Sequence, residues 1–90
     1  MQVIHDTTAQ RFTATVDGHL AVLAYRREPG VVVIPSVVVP PPVEGRGIAG
    51  ALVRAALDWS NANGWAVRPV CPYVAAWLRR HPGYAPVDGA

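Results

Sequence analysis

The chain has 90 residues, of which 51% are hydrophobic and 16% are charged. This length allows one domain with one core, and the composition is too apolar for an intrinsically disordered chain. The eight basic residues are all arginine, and six acidic residues reduce the net charge to +2. This small positive charge does not indicate a nucleic-acid-binding protein.

The first elements form a predicted hairpin. Apolar and polar side chains alternate on both sides of an Asp-Gly pair at 17–18. An Asp-Gly pair between two alternating runs is the strongest short-range signal for a β-hairpin. We therefore predict strands near residues 10–16 and 19–27, with a short additional strand at residues 3–4.

A run of β-branched residues at 31–39 predicts a strand that is buried on both faces. Pro35 lies inside this run and has no N–H for a ladder hydrogen bond, so we expect an unpaired or bulged position there. Three consecutive prolines at 40–42 then end the pairing.

From Gly45 the apolar residues recur at helical spacing, which predicts an amphipathic helix of about four turns. We expect this helix to end at residues 63–64, where an Asn-Gly pair can take the left-handed conformation of a helix terminus. Residues 65–71 favour another strand, and residues 73–80 favour a short helix.

A turn and a tail complete the chain, and residues 85–90 are expected to be flexible. The resulting order β-β-β-α-β-α is typical of an α+β fold with a mixed, mostly antiparallel sheet. No apolar run is long enough to cross a bilayer, and the first residues lack the segments of a signal peptide. The one cysteine, Cys71, excludes an internal disulfide. We expect a cytoplasmic domain over residues 1–90, as a monomer or weak homodimer without a membrane or nucleic-acid partner.

The stretch EGRGIAG at the start of the predicted helix places three glycines in the spacing GxGxxG. No Ser, Thr, Asp or Asn precedes the helix, so its first amides are unpaired donors at the positive end of the helix dipole. Glycines allow a phosphate group to approach such amides closely. The alternative is that the glycines form only a turn, with Gly45 as the cap.

Two familiar nucleotide-binding motifs do not account for these glycines. A P-loop requires a lysine, and the chain has none. A Rossmann turn requires an acidic residue about 20 positions further on, together with a full crossover sheet. Residues 61–87 contain neither Asp nor Glu, and the chain is too short for that sheet. We interpret the Rossmann match as coincidental.

EGRGIAGALVRAAL resembles the pyrophosphate loop and helix of the GCN5-related N-acetyltransferases, with Gly47 and Ala49 in the last two positions of the loop pattern. The chain is similar in particular to the minimal single-domain members. Their N-terminal hairpin and C-terminal segment resemble IHDTTAQRFTATVDGHLAVLAYR and CPYVAAWLRRHPGY, so the resemblance covers about residues 3–84. It implies a twisted sheet that splays near Val39, with the pantetheine of acetyl-CoA in the gap.

The resemblance also implies the residues of a site. Cys71 matches a cysteine of the minimal members, as an acyl acceptor or a lining residue; a buried core thiol is the alternative. Tyr73 matches a tyrosine that would protonate the leaving thiolate or bind substrate; an ordinary surface tyrosine is the alternative. The implied coenzyme A contacts are Val38, Val39, Gly45, Arg46, Gly47, Ile48, Ala49 and Gly50.

Three positions depart from the pattern of the minimal members. Ser36 stands in place of their histidine and Val38 in place of their glutamate, which removes the usual candidates for a base. Glu44 replaces an Arg or Gln and puts a negative charge beside the expected diphosphate, unless it points outward or pairs with Arg46. The three histidines have no metal-ligand spacing, so we expect no metal site.

The sequence thus favours a small N-acyltransferase that transfers acetyl from acetyl-CoA to an amine, on either a small molecule or a protein. One alternative is a coenzyme A-binding domain with little or no transferase activity. The other is a cofactor-free α+β interaction module.

Overall fold

A computed structural model describes residues 1–84 and 87–88. Its five strands form one sheet in chain order, with the first four antiparallel and the fifth parallel to the fourth. The α+β class with a mixed sheet is confirmed. The elements are β1 Ile4–Asp6, β2 Arg11–Val16, β3 His19–Glu28, β4 Val31–Val38, a 3-10 turn Pro41–Val43, α1 Ile48–Ala62, β5 Ala66–Arg68 and α2 Pro72–Arg80.

The predicted hairpin is formed by β2 and β3. Asp17 and Gly18 at its tip both have positive φ, at 50° and 77°, as a tight two-residue turn requires. The ladder closes on the pair Val16 and His19 next to the turn. The predicted additional strand also exists, but it is β1 at Ile4–Asp6, one residue later than expected.

The irregularity expected at Pro35 is confirmed as a bulge between β3 and β4. Ala24 lies opposite Ser36 and Arg26 lies opposite Val33, so β4 carries one extra residue in this interval. A proline is tolerated in a sheet at such a position because no ladder N–H is needed there.

The strand β5 is shorter than predicted. It pairs with β4 only between Val31 and Val33, and it ends at Arg68 because Pro69 has no N–H to continue the ladder. The amide of Cys71 then donates to the carbonyl of Ile34 at 2.9 Å. Beyond this hydrogen bond, no described strand pairs with β4 on the β5 side, so the sheet opens there.

Both helices pack on the same hydrophobic core. Buried residues of α1 cover the sheet, and α2 lies beside α1 with Val74, Trp77 and Leu78 buried. In the part of the chain that the structure describes, no helix is long and apolar enough to cross a membrane.

Two residues of the segment predicted to be a flexible tail, residues 85–90, lie within the described part of the chain. Val87 forms a parallel bridge with Val67, and the amide of Asp88 donates to the Val67 carbonyl at 2.8 Å. The Asp88 carboxylate also pairs with Arg68 at 2.7 Å. Residues 85–86 and 89–90 lie outside the described residues.

Candidate functional site

A cleft of about 640 Å³ lies beside the C-terminal end of β4. Its volume is in the range of sites for small molecules and cofactors, roughly 300–1,000 Å³. It is bounded by the end of β4, the 3-10 turn, the glycine loop, the first turn of α1 and one residue of α2. The lining residues are Val37, Val38, Val39, Val43, Glu44, Gly45, Gly47, Ile48, Ala49, Gly50 and Tyr73.

The N-terminus of α1 presents unpaired amides at this cleft. Gly47 is the N-cap, and no side chain accepts a hydrogen bond from the first turn. The first intrahelical bond runs from the Ala51 amide to the Gly47 carbonyl at 3.1 Å, so the amides of residues 48–50 precede the helical ladder. The first turn also contains no acidic residue. These donors and the helix dipole together suit an anion.

The three glycines of the GxGxxG stretch differ in backbone conformation. Gly45 and Gly47 have φ of 76° and 77°, a left-handed conformation that disfavours other residues. Helix α1 consequently begins at Ile48, later than the predicted start at Gly45. Gly50 has no positive φ and lies inside α1, where a Cβ would be at an ordinary contact distance of 3.7 Å from both Tyr73 Oη and Trp77 Nε1.

Tyr73 projects from the first turn of α2 into the cleft and is 40% exposed. Among the described lining residues it is the only side chain with a hydroxyl, and it can both donate and accept a hydrogen bond. A Cβ at Gly50 would lie 3.7 Å from its Oη, so the Tyr73 hydroxyl is close to the first turn of α1. The structure therefore brings Tyr73 together with the predicted cofactor loop.

Cys71 is placed differently from Tyr73. Its side chain is buried, with 7% exposure, and it packs in the hydrophobic core instead of lining the cleft. It is the N-cap residue of α2. The buried-thiol alternative describes this position, and the burial gives no support to a role as acyl acceptor.

Arg46 is also outside the cleft lining, although it was predicted to bind the cofactor. Its guanidinium pairs with Asp17 at the tip of the β2–β3 hairpin, with 2.6 Å between Nη1 and Oδ2. Glu44 lines the cleft and is exposed, and no described Arg, Lys or His lies within ion-pairing distance of it. Glu44 therefore does not pair with Arg46, and it leaves an uncompensated negative charge at the cleft.

Sequence reasoning missed Val37 and Val43 as lining residues. The proline triplet starts a 3-10 turn, which buries Val43 and carries the chain from β4 to the glycine loop. The sequence did contain a signal for these two residues, because both are apolar and lie on either side of a proline triplet that ends a strand. The contact between Asp17 and Arg46 had no signal, because 29 positions separate the two residues.

The family model described as GCN5-related N-acetyl-transferase matches residues 11–87. The chain belongs to this N-acetyltransferase family. The matched region begins at β2 and includes every residue that lines the cleft. No curated protein matches the chain significantly.

A second cluster of polar and aromatic side chains lies away from the cleft lining. The Nε2 atom of His5 is 2.6 Å from the Tyr25 hydroxyl, and the His5 ring stacks on Phe12 and meets the edge of Trp59. Burial lowers the pKa of His5 against the opposing charge of Asp6, and burial raises the pKa of Tyr25. Within residues 1–84 and 87–88, no group of three or more His, Cys, Asp or Glu could hold a metal ion.

Proposed function

We propose that this protein binds acetyl-CoA in the cleft beside β4 and transfers the acetyl group to an amine. The observation that carries the proposal is the set of uncapped amides at residues 48–50, which open onto the cleft behind two left-handed glycines. A diphosphate fits this position because the N–H groups and the helix dipole both favour negative charge. Neither Gly45 nor Gly47 has a Cβ that would hinder its approach.

The open edge of β4 suits the remainder of the cofactor. Residues 37–39 line the cleft beyond the last hydrogen bond to the segment that follows β5, and the Val38 side chain is 60% exposed. Pantetheine is an extended chain with two amides, and extended amide chains pair with open strand edges by main-chain hydrogen bonds. The valine side chains supply apolar contact, as is usual in cofactor sites.

When bound, acetyl-CoA supplies an activated acyl thioester. Among the described cleft residues, Tyr73 is the one whose hydroxyl can donate a proton to the departing sulfur. We therefore assign the catalytic role to Tyr73. For Cys71 we propose a structural role at the start of α2, because its thiol is buried.

The acceptor amine must be uncharged to attack a thioester. The described lining residues include no imidazole, and Ser36 occupies the position where the minimal members have their histidine. No cleft side chain thus has an ordinary pKa near neutrality, so the amine loses its proton to solvent. We expect the rate to increase with pH up to the pKa of the acceptor amine.

The absence of an imidazole from the described lining also favours one alternative, a coenzyme A-binding domain with very slow transfer. Such a domain would retain the amides of α1 and the open edge of β4. It would differ from the enzyme only in turnover. Binding and turnover therefore need separate measurements.

Thermal unfolding with and without coenzyme A tests binding. A ligand at about 100 times its Kd stabilises a protein by roughly 2.7 kcal/mol, which raises the Tm of so small a domain by on the order of 10 °C or more. Acetyl-CoA should give a similar increase, whereas ATP serves as a control for binding of any polyphosphate. No increase at millimolar coenzyme A would overturn the proposal in favour of a cofactor-free interaction module.

Release of free thiol from acetyl-CoA, followed with a panel of small amines and lysine peptides, tests turnover. Transfer should exceed the uncatalysed rate for at least one amine and should increase with pH. Stabilisation by coenzyme A with no release above the uncatalysed rate for any amine would support the binding domain instead.

A further inference from the structure

We infer that Asp17 sets the affinity of the cleft for a phosphate-bearing cofactor, by competing with the phosphates for the guanidinium of Arg46. Asp17 lies on the β2–β3 hairpin and not in the glycine loop. The inference rests on the proposed function, which places coenzyme A in the cleft. It adds a positioning residue from outside the cofactor loop.

Arg46 lies between two possible partners, the Asp17 carboxylate and a phosphate in the cleft. Its neighbours Gly45 and Gly47 both line the cleft, but the Arg46 side chain points to the hairpin and contacts Asp17. The side chains of this ion pair are 50% and 65% exposed, so water screens their attraction. The pair can therefore open at low cost when a stronger acceptor arrives.

A diphosphate is such an acceptor. It carries more negative charge than a carboxylate, and a guanidinium forms paired hydrogen bonds with its oxygens. While Arg46 is held by Asp17, the ionised side chain at the described cleft is Glu44, which repels phosphate. A shift of Arg46 from Asp17 to the phosphates would place a cation beside this carboxylate.

The hairpin holds Asp17 at a fixed place. Val16 and His19 pair directly below the turn, and Asp17 itself has a φ of 50° that the two-residue turn imposes. The carboxylate therefore cannot follow Arg46 toward the cleft by a shift of the strands. Cofactor binding should release the hairpin tip from the glycine loop.

A double-mutant cycle tests this competition. The Kd values of coenzyme A and of pantetheine, which has no phosphate, are measured at low salt for wild type, Asp17→Asn, Arg46→Ala and the double variant. Asp17→Asn should bind coenzyme A about two- to fivefold more tightly, the range expected from breaking an exposed ion pair. The gain should disappear in the Arg46→Ala background and should be absent for pantetheine.

The matched control is Asp6→Asn, which removes the same charge from β1. Asp6 accepts a hydrogen bond from the Ala9 amide at 2.9 Å, and an asparagine oxygen can accept it as well. This variant should leave the Kd of coenzyme A unchanged.

The outcomes separate this inference from the proposed function. If Asp17→Asn changes the Kd equally with and without Arg46, or weakens coenzyme A binding, Asp17 does not compete for Arg46 and the inference is wrong. Pantetheine affected as strongly as coenzyme A would contradict it too. If none of the four proteins binds coenzyme A, the proposed function fails and this inference fails with it.

Discussion

The Tyr25 hydroxyl lies 2.6 Å from Nε2 of His5, so that one hydrogen bond connects β1 to β3 across β2. The imidazole also stacks on Phe12 of the intervening strand, with ring centroids 4.0 Å apart. Because burial lowers the pKa of His5 and raises that of Tyr25, both groups are neutral at pH 7. In the His5 tautomer with its proton on Nδ1, the Tyr25 hydroxyl donates to Nε2; in the other tautomer, Nε2 donates to the hydroxyl oxygen.

This pair predicts a dependence of folding stability on pH. The pKa of His5 is lower in the folded protein than the ordinary value of 6.5, so the unfolded chain binds more protons. The contribution of neutral His5 to the free energy of unfolding is complete above 6.5 and decreases as the pH falls below it. Urea unfolding of wild type and His5→Gln between about pH 8 and 5 measures the effect. The variant should show a flatter profile in this window, and parallel profiles would contradict the prediction.

The glycines of the cofactor loop predict opposite effects of the same substitution. Gly47→Ala should reduce the free energy of unfolding by about 1–2 kcal/mol, because a φ of 77° is unfavourable for a residue with a Cβ. Gly50→Ala should instead be neutral or stabilise by up to about 1 kcal/mol, since it lies inside α1 and its Cβ would make ordinary contacts at 3.7 Å. Urea unfolding distinguishes the two, and equal losses would show that Gly50 is also needed for its conformation.

We expect substitution of Tyr73 to reduce turnover and substitution of Cys71 to reduce stability. Tyr73→Phe should reduce kcat about a hundredfold, the lower end of the usual contribution of a general acid, and leave the KM for acetyl-CoA within about twofold. Cys71→Ala should retain the kcat of wild type and lose about 1 kcal/mol of stability, as for a typical core substitution. Steady-state kinetics and urea unfolding on the same samples measure both. If Cys71→Ala is folded but inactive, the prediction is wrong and the thiol takes part in the reaction.

We expect the negative charge of Glu44 to weaken the binding of coenzyme A at the cleft. Glu44→Gln should tighten coenzyme A binding by about two- to fivefold at low salt, because it removes the repulsion of an exposed carboxylate. The difference should shrink at high salt. Glu44→Asp keeps the charge and is the matched control, with an affinity close to wild type. Weaker binding by Glu44→Gln would mean that the carboxylate contacts the cofactor favourably.

Local signals in the sequence were sufficient for most of the fold. The Asp-Gly pair predicted the β2–β3 hairpin, and the position of Pro35 predicted the bulge in β4, because each depends on a backbone property of those residues. The predicted bounds of β5 were wrong. The strand ends at Arg68 because Pro69 cannot continue the ladder with β4, and the apolar residues of 65–71 alone did not show this.

In the candidate site, the position of the backbone groups was predicted and the position of some side chains was not. The amides at residues 48–50 follow from the glycine spacing and the missing cap, and the structure places them at the cleft. The orientations of the side chains could not be predicted from the sequence. Arg46 turns to the hairpin and Cys71 turns to the core, because tertiary contacts decide between orientations that the local sequence leaves equal.

The donors at the start of α1 are main-chain groups, so exchanging the side chains of Ile48 or Ala49 does not remove them. For protein engineering, this divides the cleft into two parts that can be altered independently. Libraries at Val37 and Val39 can vary the apolar lining of the cleft while the anion-binding half stays intact, provided that Tyr73 is kept and Gly47 keeps its left-handed backbone. A scaffold of 90 residues would thus tolerate extensive diversification on one side of its cleft.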